Sequence, residues 1–265
     1  MSDPAPPHAF DSGLTTPDFA ACLGMGLRPL GLVQGFYCGQ VSSWSSYSGY
    51  PVRQYPCACY EQDYHQTGWL GRVDDLDRAW TAAHATALDR MLAEASQLGA
   101  SGVVGVTTEM NHPTNENSCE VHLYGTAVGL DGAPPSQRPW STQLAGQKLA
   151  KLVEIGFVPA SVAYARCTAM MVEGCNMEYY ASGRSGTGNV VRPLQEAHEL
   201  ARSGAIDAAR GLSQGASLYG VTMEMHESER YRSTYVTCSL RGSLVRRARR
   251  TVPTAAPTAT VNLGS

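Results

Sequence analysis

The sequence predicts an α+β fold built twice: two tandem domains, each running strand, helix, strand, strand, with a small antiparallel sheet packed on one long helix. Three observations predict it. Gly105-Val106-Thr107-Thr108-Glu109-Met110 returns as Gly220-Val221-Thr222-Met223-Glu224-Met225. Each copy follows a helical apolar stripe and precedes an alternating segment with a central glycine, Gly125 or Gly242. Upstream, Gly26-Leu27-Arg28-Pro29 returns as Gly156-Phe157-Val158-Pro159, so the order of landmarks is kept. A unit of roughly a hundred residues is an ordinary domain size. The boundaries read as a disordered N-terminal segment over 1–13, a first copy over 14–130, a linker over 131–140, a second copy over 141–247 and a disordered tail over 248–265. The first copy is the longer between its first strand and its glycine motif. The excess falls at about 41–70, which reads as an insertion.

The elements follow in order. Leu30 to Gln40 reads as a strand, apolar and β-branched after Pro29, and Val158 to Met171 is its counterpart. Leu76, Trp80, Ala83, Ala87, Met91, Ala95 and Leu98 then recur at helical spacing, with Asp74 and Asp75 at the positive start and Gly99 at the end. In the second copy Asn189 is the expected cap and Pro193 fits the first turn, where amides have no intrahelical partner. Leu194, Ala197, Ala201, Ala205, Ala208 and Leu212 form that stripe, weakened by Gly204. In the next strand, alternation puts Val104, Val106, Thr108 and Met110 on a core face, and likewise Tyr219, Val221, Met223 and Met225. The last strands alternate Cys119, Val121, Leu123, Gly125 and Ala127 with polar residues, and Val236, Cys238, Leu240, Gly242 and Leu244 do the same.

Composition narrows the function classes. The chain has 265 residues, 43% of them hydrophobic, which is enough for a sizeable core. Its net charge of -3 supplies no global field toward nucleic acid or anionic membrane. The start, Met1-Ser2-Asp3-Pro4-Ala5-Pro6-Pro7, has neither a basic segment nor an apolar core, and a soluble, cytoplasmic protein is the expectation. The eight cysteines are accordingly expected reduced, with Cys119, Cys238, Cys38 and Cys167 packed as small apolar side chains. GxSxG and HExxH are absent, and no spacing assembles a nucleophile with a base, so a non-catalytic protein is expected.

The run Glu94-Ala95-Ser96-Gln97-Leu98-Gly99-Ala100-Ser101-Gly102-Val103-Val104-Gly105-Val106, with Tyr124-Gly125-Thr126-Ala127-Val128 after it, resembles the YbjQ family, described as heavy-metal-binding. Gly215-Ala216-Ser217 and Leu240-Arg241-Gly242-Ser243 match more loosely in the second copy. The resemblance implies a small dodecin-like α+β domain that assembles into homo-oligomeric rings, pentamers in single-domain members. It implies no catalytic residues.

Candidate ligands must be judged on their own chemistry. Cys57 and Cys59, with His65 nearby, sit in the insertion; two thiols two residues apart point the same way in an extended chain. Two sulfurs and one imidazole suit zinc or Cu(I), with a fourth ligand supplied by a neighbouring subunit. The alternative is a pair of cysteines folded into an aromatic loop. Glu109 and Glu224 hold the same place in both copies beside glycine and threonine, where they could line a ring channel and collect cations. A solvated glutamate or an intersubunit ion pair is the alternative there. His226 shares the face of Glu224, but His112 does not share that of Glu109. Gly183 to Gly188 before the second helix is expected as a flexible turn, and the arginines from Arg241 to Arg250 as a solvated basic end. Trp44, Tyr47, Tyr50, Tyr60 and Trp69 crowd the insertion and are interface material. Two function classes result: a ring-forming metal or small-ligand binding protein, and a scaffold whose insertion recruits a protein partner.

Overall fold

The structure, a computed structural model, describes residues 12–40, 53–55, 68–111, 118–172, 192–213, 215–230 and 233–248. The first half contributes α1 (Thr16–Gly24), β1 (Leu27–Gln40), β2 (Arg53–Tyr55), β3 (Gly68–Arg72), α2 (Asp74–Gln97), β4 (Gly102–Asn111) and β5 (Ser118–Leu130). After β6 (Trp140–Ser141) come α3 (Gly146–Glu154), β7 (Phe157–Val172), α4 (Arg192–Ser213), β8 (Ser217–Arg230) and β9 (Ser233–Arg247). Two sheets form, in the orders β1-β5-β4-β6 and β2-β3-β7-β9-β8. All pairings are antiparallel except the short β4–β6 pair. The fold is thus α+β, with one long helix on each sheet.

Each half opens with a short helix that the sequence reading lacked. α1 and α3 are nine residues each, too brief for a periodic stripe to stand out. Thr15 caps α1 through a bond from the Asp18 amide, and each helix is followed by a left-handed glycine, Gly26 at φ 71° and Gly156 at φ 85°. The insertion also behaves unexpectedly. β2 and β3 pair with each other, and β3 pairs with β7, so this segment of the first half extends the sheet of the second.

Among the described residues, three clusters make the core. α2 lays Trp80, Ala83, Ala87, Met91 and Ala95 on Val33, Val121, Leu123 and Ala127. α4 lays Ala197, Ala201, Ala205 and Ala209 on Ala165, Cys167, Val236 and Cys238. The stripe of α4 therefore ends on Ala209; Ala208 and Leu212, expected inside, are exposed. The third cluster joins the halves: Cys22, Leu149 and Leu152 of the short helices pack with Val104, Val128 and Val245.

A bulge corrects the expected strand faces. The register of β4 on β5 shifts between Val104 and Thr107, at Gly105 with φ 63°, and β8 on β9 shifts likewise at Gly220 with φ 65°. Alternation reverses there, so Val104 joins the third cluster while Val106 joins the first. The larger departure is in β8. Val104, Val106 and Thr108 are buried, whereas Tyr219, Val221, Met223 and Met225 are 40–49% exposed, because β8 is the last strand of its sheet and α4 covers β7 and β9 instead. Among the described residues, no helix is long and apolar enough to cross a membrane.

Candidate functional site

The densest polar chemistry lies on the seam between the halves. The segment around β6 starts it: Val162 N–H donates to Ser141 Oγ at 3.0 Å, and Thr142 Oγ1 donates to Ser243 Oγ at 2.9 Å. The Ser243 hydroxyl also accepts from Gln143 N–H at 2.9 Å. Deeper in, Asp77 of α2 faces β7. Its carboxylate accepts from Thr168 N–H at 2.8 Å and Thr168 Oγ1 at 2.7 Å, and Arg166 Nε stands 3.4 Å away. Arg166 in turn lies over the Trp80 ring, 5.0 Å from its centroid. Burial raises the Asp77 pKa, opposed by the Thr168 bonds and the Arg166 charge. Two helical turns on from Asp77, His84 stacks on Tyr164, and burial, with the Arg241 charge second, lowers its pKa to about 4. Buried without a hydrogen-bond partner among the described residues are His84 Nε2, Tyr164 OH, Thr108 Oγ1 and Arg241 Nε.

This arrangement fixes α2 of the first half against the sheet of the second. The sequence reading missed Asp77, His84, Tyr164, Arg166 and Thr168, and only one signal pointed to them. Asp77 and His84 flank Trp80 on the helix at spacings of three and four, next to the apolar stripe, where charge is unusual unless partnered.

Of the residues the sequence singles out, Cys57, Cys59, His65, Trp44, Tyr47, Tyr50 and Tyr60 lie outside the described residues, as do Asn189 and Gly183 to Gly188. Trp69 is half-buried in β3, opposite Gln54 and Val172. Glu109 and Glu224 are exposed at matching places, each held by the residue diagonal to it across the ladder. Tyr124 OH donates to Glu109 Oε1 at 3.0 Å, and Arg241 Nη2 to Glu224 Oε2 at 2.6 Å. Arg241 also donates to the Thr108 carbonyl at 2.9 Å, so it belongs to the seam and not to a solvated basic end. Cys22, Cys119, Cys167 and Cys238 are buried free thiols. Burial pushes Cys22 up to about 11 and Cys167 up to about 12, which keeps both protonated and poor as metal ligands. Cys38, expected inside, is exposed near Glu120. Among the described residues, no three His, Cys, Asp or Glu side chains come together to hold a metal ion, so these residues do not fit one.

Residues 67–131 match the YbjQ family, whose description reads "Putative heavy-metal-binding". The chain is 28% identical over 165 residues to a protein of Mycobacterium tuberculosis named "Encapsulin nanocompartment protein", a match that covers 60% of this chain and 56% of that protein. The chain thus spans about half the length of this curated relative. No solved structure matches it. Over residues 67–131, which run from the edge of β3 through α2 and β4 to the end of β5, the chain is thus similar to the YbjQ family.

Proposed function

We propose that this protein is a non-catalytic, ring-forming homo-oligomer built from two tandem YbjQ-like units, working as a binding protein. One observation carries the reading. β8 is a fourteen-residue edge strand that exposes Tyr219, Val221, Met223 and Met225 together. An edge of this length with large apolar side chains is a liability in a monomer and an asset in an assembly. The name of the mycobacterial relative, which refers to a nanocompartment, supports assembly as well.

The ligand follows from the family description and falls on the insertion. Cys57, Cys59 and His65 are soft donors close together in sequence and apart from the buried thiols, and they suit zinc or Cu(I). A second reading, a scaffold that recruits a protein partner, draws on the anchoring of the same insertion. β2 and β3, from the middle and the end of the insertion, join the sheet of the second half, and Trp44, Tyr47, Tyr50 and Tyr60 are near them in sequence.

Native mass spectrometry of the untagged protein, purified without chelator, tests both parts. The expected spectrum is a ring, pentameric if the family pattern holds, with near-integral zinc or copper per chain. The paired change Cys57→Ser and Cys59→Ser should remove the metal and leave the ring. A ring that stays metal-free after zinc or copper is added would overturn the metal reading in favour of the scaffold.

A further inference from the structure

The two halves dock on each other in a way that the open ends of the chain are shaped to repeat. In the first half the outer edge of β4 is closed by the segment Thr142–Leu144. Gly105 N–H donates to the Leu144 carbonyl at 3.1 Å, Val106 N–H to the Thr142 carbonyl at 2.9 Å, and Thr142 N–H to the Val103 carbonyl at 2.9 Å. β8 is the matching strand of the second half, with Gly220 bent like Gly105, and among the described residues no strand pairs with its outer edge.

The missing cover exists at the start of the chain. Leu14 N–H donates to Ser12 Oγ at 3.1 Å, as Leu144 N–H donates to Thr142 Oγ1 at 3.1 Å, and each segment leads into its nine-residue helix. Within its own half each leucine side chain sits against the bulge glycine, Leu14 against Gly105 and Leu144 against Gly220. Leu144 additionally bridges to the other half through its carbonyl.

The sheet faces match in the same way. On β7, Val162, Tyr164 and Arg166 press on α2 and leave Val162 and Tyr164 only 4% and 3% exposed. β1 carries Leu32, Gln34 and Phe36 in those places, since Gln34 pairs with Tyr124 as Tyr164 pairs with Arg241. Leu32 and Phe36 are 43% and 46% exposed. On the helices, Ala197, Ala201 and Ala205 of α4 take the places of Ala83, Ala87 and Met91, which puts Leu194 where Trp80 stands. Arg166 over Trp80 at the internal seam becomes Phe36 over Leu194 at the open one, an apolar pair suited to the exchange.

We propose that a second copy of this chain docks head to tail, its Ser12–Leu14 segment and β1 face covering β8 and α4 in the register that Thr142–Leu144 and β7 use on β4 and α2. Gly220 N–H then donates to the Leu14 carbonyl of the next copy, and Val221 N–H to that of Ser12. The two contacting surfaces differ, so the interface is heterologous and propagates until it closes into a ring. This inference rests on the self-assembly reading above and adds its geometry.

Complementation tests it. A head variant carries Val221→Lys with Met223→Lys, and a tail variant carries Leu32→Glu with Phe36→Glu. All four side chains are at least two-fifths exposed in the chain, so folding should survive. The wild type should run as a ring and each variant as a monomer in sedimentation and native mass spectrometry. Their equimolar mixture should give a heterodimer and nothing larger, because one head and one tail remain intact. If the wild type assembles and either variant assembles equally well, this interface is wrong while self-assembly stands. A wild type that stays monomeric overturns both. Hydrogen exchange of the wild-type ring provides a readout independent of the variants: Gly220 and Val221 amides should be protected like those of Gly105 and Val106, and fast exchange there would overturn the register.

Discussion

The His84 and Tyr164 rings lie nearly parallel, their centroids 4.8 Å apart and their planes within 17°. One belongs to α2 and the other to β7, so this stack is a direct contact between the halves, and both side chains are almost fully buried. A neutral imidazole fits there and an imidazolium does not, since burial and the Arg241 charge both oppose the proton.

The consequence is a pH dependence of known sign. In the unfolded chain His84 takes up a proton near pH 6.5, whereas in the folded chain it does so near 4. The unfolded state therefore binds more protons between these values, and stability falls as pH drops through that window. The shift corresponds to at most about 3 kcal/mol. Thermal melts from pH 7 to pH 4 should show this slope, and His84→Phe, which keeps a ring against Tyr164, should flatten it. Asp77, with a raised pKa, acts in the opposite sense, so the difference between the two proteins is the quantity to read. Equal slopes would mean that His84 does not titrate as its surroundings dictate.

Asp77 and Arg166 should behave as a buried pair. Asp77→Ala leaves the Arg166 guanidinium, 8% exposed, without its anion and takes the acceptor from Thr168. The expected loss is about 3–5 kcal/mol in urea unfolding. Replacing both, as Asp77→Leu with Arg166→Met, should recover much of it, because no buried charge remains. A single-variant cost below about 1 kcal/mol would show that the seam opens to water.

Arg241 should matter more than the glutamate it holds. Glu224 is half exposed, so Glu224→Gln should change stability by less than about 1 kcal/mol. Arg241→Ala also frees the Thr108 carbonyl of the other half, and about 1–3 kcal/mol is expected from that buried acceptor. Comparable effects of the two changes would place the value of Arg241 in its surface pair alone.

How far the sequence reached depended on the kind of force involved. The long helices and central strands were legible because burial acts on many residues in register: Trp80, Ala83, Ala87 and Met91 announce α2 by spacing alone. The face of β4 departs from expectation at Val104, since a bulge at Gly105 reverses alternation without changing composition, whereas in β8 all four expected core residues are exposed, because nothing local encodes that this strand ends its sheet. The seam was not legible, because Asp77 and Thr168 are 91 positions apart and nothing local to either encodes the pairing. The matched glutamates were visible, but their partners were not. Tyr124 and Arg241 occupy corresponding places with different chemistry, and only the register shows that both serve the same acceptor.

Gly35 is where packing tolerates least. α2 crosses β1 so closely that a β-carbon on Gly35 would overlap the Ala87 carbonyl oxygen and crowd the Met91 amide, both backbone atoms that cannot rotate away. Gly204 of α4 is also tight, since a β-carbon there would meet Cys167 Sγ and stand 3.0 Å from Cys167 Cβ, but these are side-chain atoms and no backbone atom is as close. Alanine also favours the helix over glycine by about 1 kcal/mol. Gly204→Ala should therefore cost less than Gly35→Ala, because the gain in helix propensity offsets part of the crowding against Cys167. Gly35→Ala must push helix and sheet apart, with an expected loss of about 3 kcal/mol or more and a lowered melting temperature. Comparing the two melts separates the cases. If Gly35→Ala melts with the wild type, the helix has more freedom over β1 than the contact between Gly35 and Ala87 permits.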